Sequence, residues 1–246
     1  MNQFDPSPSP PFSLSIRSIQ VGKPRRFAAD GDGQDGWVSG IVKAPVTGPI
    51  RVGETNLQGD EQADLVHHGG ADKAILAYPR EHYPAWCDEF PQVAWQDGCF
   101  GENLSLDGGT EADVCIGDLY TVGDCLLQVS QPRQPCWKLS RLWRIAKLAV
   151  RVQQTRRTGW YLRVQQTGTI AAGDTLTLIE RPYPRLTVAF ANEVMFAKPR
   201  RADDDRRLAA CPLLSQSWRT TLATRADRSH QQTAAAEAKR LRPPQD

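Results

Sequence analysis

Residues 118–130 read DLYTVGDCLLQVS. Two runs rich in apolar and β-branched residues, LYTV and CLLQV, flank Gly123-Asp124. That pair suits a tight reversal, so the stretch predicts a β-hairpin. Working outward, Phe12, Leu14 and Ile16 alternate with polar residues, as a half-buried strand requires. Residues 37–42 and 50–52 read as extended, separated by the turn formers Pro45, Gly48 and Pro49. Residues 175–179 form another predicted strand, after the turn signal Ala172-Gly173-Asp174. Helical spacing is rarer. Residues 83–90 carry Pro84, acceptable in a first turn, and residues 139–150 place apolar side chains at 139, 142, 145, 146 and 149. The mixture predicts a mainly β, barrel-like domain over residues 12–182 with a few peripheral helices, and not alternating βαβ units.

Past Pro182 and Pro184 the composition shifts. Residues 186–196, 205–214 and 217–227 read as three short helices in a small C-terminal segment (186–227), the second introduced by Asp203-Asp204-Asp205. Residues 1–11 (MNQFDPSPSPP) read as a flexible lead, and residues 228–246 as a frayed, disordered tail.

The chain has 246 residues, 40% of them hydrophobic, enough for a sizeable core and incompatible with a disulfide-stapled mini-protein. Thirty basic residues against twenty-eight acidic ones leave +2, without the basic excess of a nucleic-acid binder. No apolar run is long enough to span a bilayer, and the N-terminal residues lack the apolar region of a signal peptide. Six cysteines without a C-x-x-C pair read as reduced thiols. Cytoplasmic localisation, with no membrane association, is the expectation.

Residues 31–36 (GDGQDG) match G-x-G-x-x-G, but a strand follows where the dinucleotide fingerprint needs a helix, and three aspartates would repel phosphate. A hairpin loop is the better reading. Val66-His67-His68-Gly69-Gly70-Ala71-Asp72-Lys73 places histidines and a lysine beside backbone that a ligand can approach closely. Asp60 and Asp64, just before it, are placed to orient those histidines. A solvated polar turn remains open for this stretch. Phe100-Gly101-Glu102-Asn103-Leu104 reads as a structural turn. Cys136 sits in QVSQPRQPCWK, which leaves a strand, passes two prolines and enters a helix between Arg133 and Lys138. That setting favours thiolate, the form that ligates metal or attacks; a small residue buried in the turn is the alternative. Cys87, Cys115 and Cys125 read as core, while Cys99 and Cys211 stay undecided. Arg156-Arg157-Thr158-Gly159-Trp160 suits an anion held by guanidinium and backbone donors, or else a solvated helix end.

The ordered set GDEQAD, HHGGADKA, YPREHYPAW, GCFGENLS, CIGDLYTVG, QVSQPRQPCWKLSRLW and RTGWYLRV resembles bacterial MOSC-domain proteins of the YiiM-like group, over about residues 13–180 and again over 186–227. The resemblance implies a β-barrel that binds molybdenum cofactor (molybdenum-molybdopterin), with Cys136 as the metal ligand. It places the pocket at His67, His68, Gly69, Gly70, Lys73, Asn103, Arg133, Lys138, Arg157, Thr158 and Gly159, with Lys43 of SGIVKAPV a further candidate. His67, His68 and Asp60 are candidate proton relays. The implied activity is detoxifying reduction of N-hydroxylated compounds, such as hydroxylaminopurine-type base analogues (6-hydroxylaminopurine among them), N-hydroxy amines and amidoximes. Electrons would come from a separate flavoprotein reductase, and a homodimer is a candidate assembly. The wider family also carries an association with pyridoxal phosphate. Two alternatives stay open: a Cys136 persulfide carrier for sulfur transfer, and a non-catalytic cofactor carrier.

Overall fold

The computed structural model describes residues 12–28, 36–227 and 231–242. Alternation of buried and exposed residues makes β1 (Ser13–Val21) a half-buried strand, with Leu14, Ile16 and Ile19 facing inward. The expected hairpin forms as β8 (Leu119–Val122) and β9 (Cys125–Pro132), paired from Val122–Cys125 to Leu119–Gln128 across Gly123-Asp124. Strands β6 (Ile75–Pro79), β7 (Leu104–Asp107), β10 (Trp160–Gln166) and β12 (Thr175–Glu180) complete the main sheet. Its order is β12-β8-β9-β10-β6-β7-β1, and β1 pairs back onto β12, so seven strands close into a barrel. Only β6 and β7 run parallel within it. Closure removes the edges that an open sheet would expose.

Short strands lie outside this ring. β2 (Arg25–Phe27) pairs with β3 (Trp37–Ser39), β4 (Ala44–Pro45) pairs with β1, and β5 (Ile50–Val52) pairs with β11 (Gly168–Ile170). The extended stretch expected over residues 37–42 therefore ends at Ser39. Residues 31–35, most of the G-x-G-x-x-G match, lie outside the described residues; a strand follows them, not a helix.

Helix α1 (Tyr83–Glu89) agrees with expectation. The single helix expected over residues 139–150 is instead two, α2 (Trp137–Trp143) and α3 (Leu148–Thr155), because Arg144 at φ 55° ends the first in a left-handed turn. The apolar spacing runs through the break, since both helices bury one face. Leu139, Leu148 and Val152 share a cluster with Tyr78, Trp86 and Phe100.

The C-terminal segment forms α4 (Val188–Phe196), α5 (Ala202–Ala209) and α6 (Gln216–Asp227). It is no mere appendage: Val188, Leu208, Trp218 and Leu222 belong to the same buried cluster as the barrel residues Leu127 and Leu176. The buried Arg225 guanidinium ties the three helices, donating to the Asp205 carboxylate (2.9 Å) and to the Val194 and Met195 carbonyls (3.1 and 3.0 Å). The tail also departs from expectation. Residues Gln231–Leu241 form a further helix, α7, while residues 1–11, 228–230 and 243–246 lie outside the described set. All six cysteines are free thiols; Cys99, Cys115, Cys125 and Cys211 are buried, but Cys87 is exposed on α1 and not in the core. Among the described residues no helix is long and apolar enough to cross a membrane.

Removing Asp205 strands the Arg225 charge in an apolar setting, which costs about 3–5 kcal/mol for a buried pair. Asp205→Ala is expected to lower the urea midpoint by a corresponding amount; a loss below about 1 kcal/mol would show that the pair does not clamp the helices.

Candidate functional site

β9 carries the chain out of the barrel at Pro132. The next residues are fixed by backbone: the Arg133 amide donates to the Gly159 carbonyl at 3.0 Å. Pro135 follows, and Cys136 takes an extended conformation (φ −120°, ψ 167°) at the N-cap position of α2, with no capping bond from its side chain. This exit faces a cavity of about 90 Å³ walled by the turn after β3, the 60–73 loop, the 100–103 turn and Cys136. An outer basin of about 590 Å³ adjoins the cavity. Asp64, His68, Lys73, Gln134, Cys136, Lys138 and Tyr161 line both, so the thiol sits where inner and outer spaces meet. The outer volume lies within the ~300–1,000 Å³ of small-molecule sites.

Cations converge on the inner cavity. Lys43, Lys73, Arg133 and Lys138 all line it. Arg133 is buried, and its Nη1 has no hydrogen-bond partner. Lys43 is buried against Asp60, which also accepts from the Gly22 amide (2.9 Å); burial pulls the Lys43 amine down, against the pull of Asp60. Lys73 donates to the His67 carbonyl (2.5 Å), with Asp64 and Asp72 acting on its charge from nearby, and Lys138 donates to the Val38 carbonyl (3.1 Å). An anion entering the cavity meets this field and the free Arg133 donor.

The 60–73 loop is wound by its own bonds. Gly70, at φ 93°, adopts a conformation that side chains resist, and the Lys73 amide returns to its carbonyl at 2.9 Å. Asp64 accepts from the His67 amide (2.9 Å) and ring (3.0 Å from Nδ1 to Oδ2); burial would raise its carboxyl, but these bonds outweigh it and hold it below the usual range. Burial, then the charge of Lys138, push the His68 ring down to about 4, so it is neutral at physiological pH. His67 is largely exposed and lines only the outer basin.

Several expected positions lie elsewhere. Gly69 and Gly70 shape the loop without lining either space, and Asp60 sits behind Lys43, so a direct proton-relay role has no cavity wall to act from. Asn103 borders the inner cavity, but its side chain is committed to backbone, accepting from the Leu76 amide (3.0 Å) and donating to the Gln20 carbonyl (3.2 Å). Arg157, Thr158 and Gly159 line neither space. Thr158 is buried and accepts from Asn192 (2.8 Å), Arg157 lies over the Trp86 ring, and the Gly159 amide donates to Glu111 (2.7 Å). Gly159 has φ 67°, and a Cβ there would fall 2.3 Å from the Ala77 carbonyl oxygen. The turn is a structural corner.

Tyr161 lines both spaces and was not singled out from sequence, although the alternation after the buried Trp160 would have pointed it outward from the core. Burial pushes its phenol up to about 12, so it stays a donor. Among the described residues no three His, Cys, Asp or Glu side chains form a ready metal cage. A metal held by Cys136 must therefore bring most of its own ligands, and the thiol, free donors and cations fit an anionic, sulfur-ligated cofactor.

The MOSC domain model matches residues 64–177, and the YiiM-like 3-alpha helix domain model matches residues 186–227. Protein YiiM of Escherichia coli (strain K12) is 41% identical over 193 residues, covering 78% of this chain and 86% of that protein. A Gibberella moniliformis protein named "Reductase" is 38% identical over 196 residues, 78% of this chain but 34% of its own length. The crystal structure of YiiM from Geobacillus stearothermophilus superposes with a TM-score of 0.72 at 38% identity, covering 87% of this chain and 99% of that one. With barrel, Cys136 cleft and C-terminal helices all in place, the chain belongs to the MOSC-domain family, in its YiiM-like group.

Proposed function

We propose that the Cys136 cleft holds a molybdenum–pterin cofactor and that the protein reduces N-hydroxylated compounds. The observation that carries this reading is the meeting of a free thiol with a buried guanidinium, Arg133, whose Nη1 has no hydrogen-bond partner, in one cavity. MOSC domains as a group are associated with molybdenum cofactor, and a relative bears the name "Reductase", which supports redox chemistry over simple carriage. When bound, the cofactor supplies a two-electron centre. The chain's own groups do the rest. Cys136 offers a soft sulfur ligand, and Arg133, Lys43, Lys73 and Lys138 hold the anionic portion.

The net reaction is R–NHOH + 2e⁻ + 2H⁺ → R–NH₂ + H₂O, with electrons from a separate flavoprotein reductase and hydroxylaminopurine-type bases, N-hydroxy amines or amidoximes as substrates. Tyr161 keeps its proton, so its hydroxyl is available to donate to a group bound beside Cys136. His68 is neutral in the free protein, able to donate at one ring nitrogen and accept at the other; a bound anion offsets the lysine charges and raises its proton affinity toward neutrality. In this reading the protein works in the cytoplasm as a detoxifying enzyme.

Molybdenum-loaded protein is expected to reduce 6-hydroxylaminopurine, and Cys136→Ser to lose bound molybdenum along with turnover, by more than the ~10–100-fold that outer-shell changes cost. Persulfide on metal-free Cys136 would favour the sulfur carrier, and tight cofactor binding without turnover the non-catalytic carrier.

The His68 ring gives a second expectation. The unfolded chain takes up a proton there near pH 6.5, the folded chain only near 4, so acid in that window favours unfolding. The stability that the neutral ring contributes is present above pH 6.5 and lost as pH falls toward 4. His68→Gln should flatten the pH dependence of the urea midpoint across this window. An unchanged slope would mean that the ring titrates normally.

A further inference from the structure

Helix α7 lies beyond residues 186–227, the stretch matched as the YiiM-like three-helix domain. It is nonetheless held against the cleft. Arg240 donates from Nη1 to the carbonyl of Pro135, the residue before Cys136, and from Nη2 to Oε1 of Gln153 on α3. Gln153, itself buried, donates back to Glu237, and Glu237 pairs with Lys198 (3.5 Å) after α4. The Arg240 guanidinium also lies 5.9 Å from the Phe196 ring centroid. Burial pulls the Arg240 guanidinium below its usual range, so this charge is largely withdrawn from water.

The helix forms one wall of the outer basin. Ala236, Glu237, Lys239 and Arg240 line it, together with residues of the 64–73 loop and Cys136. The inner cavity has none of these residues in its wall. Every anchor of α7 named here is polar and concentrated on Arg240, Glu237 and Gln153, whereas α4 to α6 contribute side chains to the barrel core. Such a helix can release without disturbing the barrel, because no described side chain of α7 belongs to the barrel core.

We propose that α7 is a size-selecting wall of the cleft, latched by Arg240 to the Pro135 carbonyl, which makes Arg240 a specificity-determining residue for what reaches Cys136. The meaning for catalysis rests on the reading of Cys136 given above, but the latch itself does not. Removing it widens the outer basin beside the thiol and leaves the inner cavity, with Arg133 and the lysines, unchanged. Bulky ligands should gain access most, and small ones little.

The test is alkylation of the full-length, metal-free protein, followed at each cysteine by peptide mass spectrometry. Iodoacetamide serves as the small reagent and a fluorescein maleimide as the large one. Exposed Cys87, on α1, serves as the reference thiol. Losing charge-assisted bonds in Arg240→Ala is expected to speed maleimide labelling of Cys136 by roughly tenfold and iodoacetamide labelling by less than about twofold, with Cys87 unchanged. Gln153→Ala removes the partner on α3 and should give the same pattern. This second variant decides the matter if Arg240→Ala exposes the buried Cys115 or Cys125 to label. An equal fall with both reagents would assign Arg240 to the charge around the thiol, an equal rise would mean a general loosening of the cleft, and no change with either would leave α7 without a gating role; each overturns the proposal. Because no metal is involved, these rates stand apart from molybdenum analysis. A chain that never binds the cofactor would still show the latch, and a working reductase could still lack it.

Discussion

One backbone bond positions the chemistry: the Arg133 amide donating to the Gly159 carbonyl. Where β9 stops pairing with β10, this contact sets the point at which the chain turns from barrel to cleft. Gly159 can make it only because its backbone is left-handed, packed so closely on Ala77 that no Cβ fits. Its amide is held in turn by Glu111, which also meets His82 (2.6 Å). Three strands, β6, β9 and β10, thus lock at one corner, and the Arg133–Cys136 segment leaves from it with little freedom. Rigid placement of this kind matters more for a metal ligand than for a residue that only fills space.

The electrostatics follow from that placement. Lys43, Lys73, Arg133 and Lys138 are brought together by three separate pieces of chain, and among the described residues only Lys43 of the four has a carboxylate within ion-pair distance, Asp60. Like charges gathered this way repel, which destabilises the empty fold; the same repulsion is relieved when an anion enters. His68 registers the field through its depressed proton affinity, since burial and Lys138 both disfavour its charged form. A neutral imidazole and a protonated Tyr161 phenol therefore share one cause, the exclusion of water, which for the phenol outweighs the opposing charge of Arg133.

What the sequence disclosed was what local periodicity encodes. The hairpin around Gly123-Asp124, the alternation of β1 and the helices near residues 83–90 and 186–227 could be read because each buries one face at a regular spacing. The division of residues 139–150 was hidden, since Arg144 interrupts the backbone without interrupting the apolar face. The Arg-Thr-Gly turn misled for a related reason. Guanidinium, hydroxyl and glycine suit an anion site, but whether they face a cavity or a packed corner depends on strands eighty residues away in sequence. Cys87 was placed in the core because apolar neighbours surround it in sequence, yet α1 turns it outward. Tyr161 was overlooked although it follows Trp160 in a plain inside–outside alternation. Cys136, Lys73 and Lys138 were legible from motif context, but their convergence depends on long-range pairing.

The division of labour between the two halves of the chain has a physical basis. A closed barrel is stiff, because every strand has two neighbours and the interior is filled by side chains such as Leu106, Leu127 and Leu162. Stiffness suits the inner cavity, whose walls come from barrel loops. It suits substrate selection poorly, since ligands of different shape need a boundary that can differ from one protein to the next. That boundary comes from the C-terminal helices: Met195, Phe196, Arg200 and Trp218 line the outer basin together with α7. Helices α4 to α6 are clamped by the Arg225–Asp205 pair and by apolar packing, whereas α7, at Glu237 and Arg240, is held by polar contacts. The outer wall therefore softens toward its C-terminal end, so changes there can reshape access to Cys136 while the charge and geometry around the thiol stay as the barrel sets them.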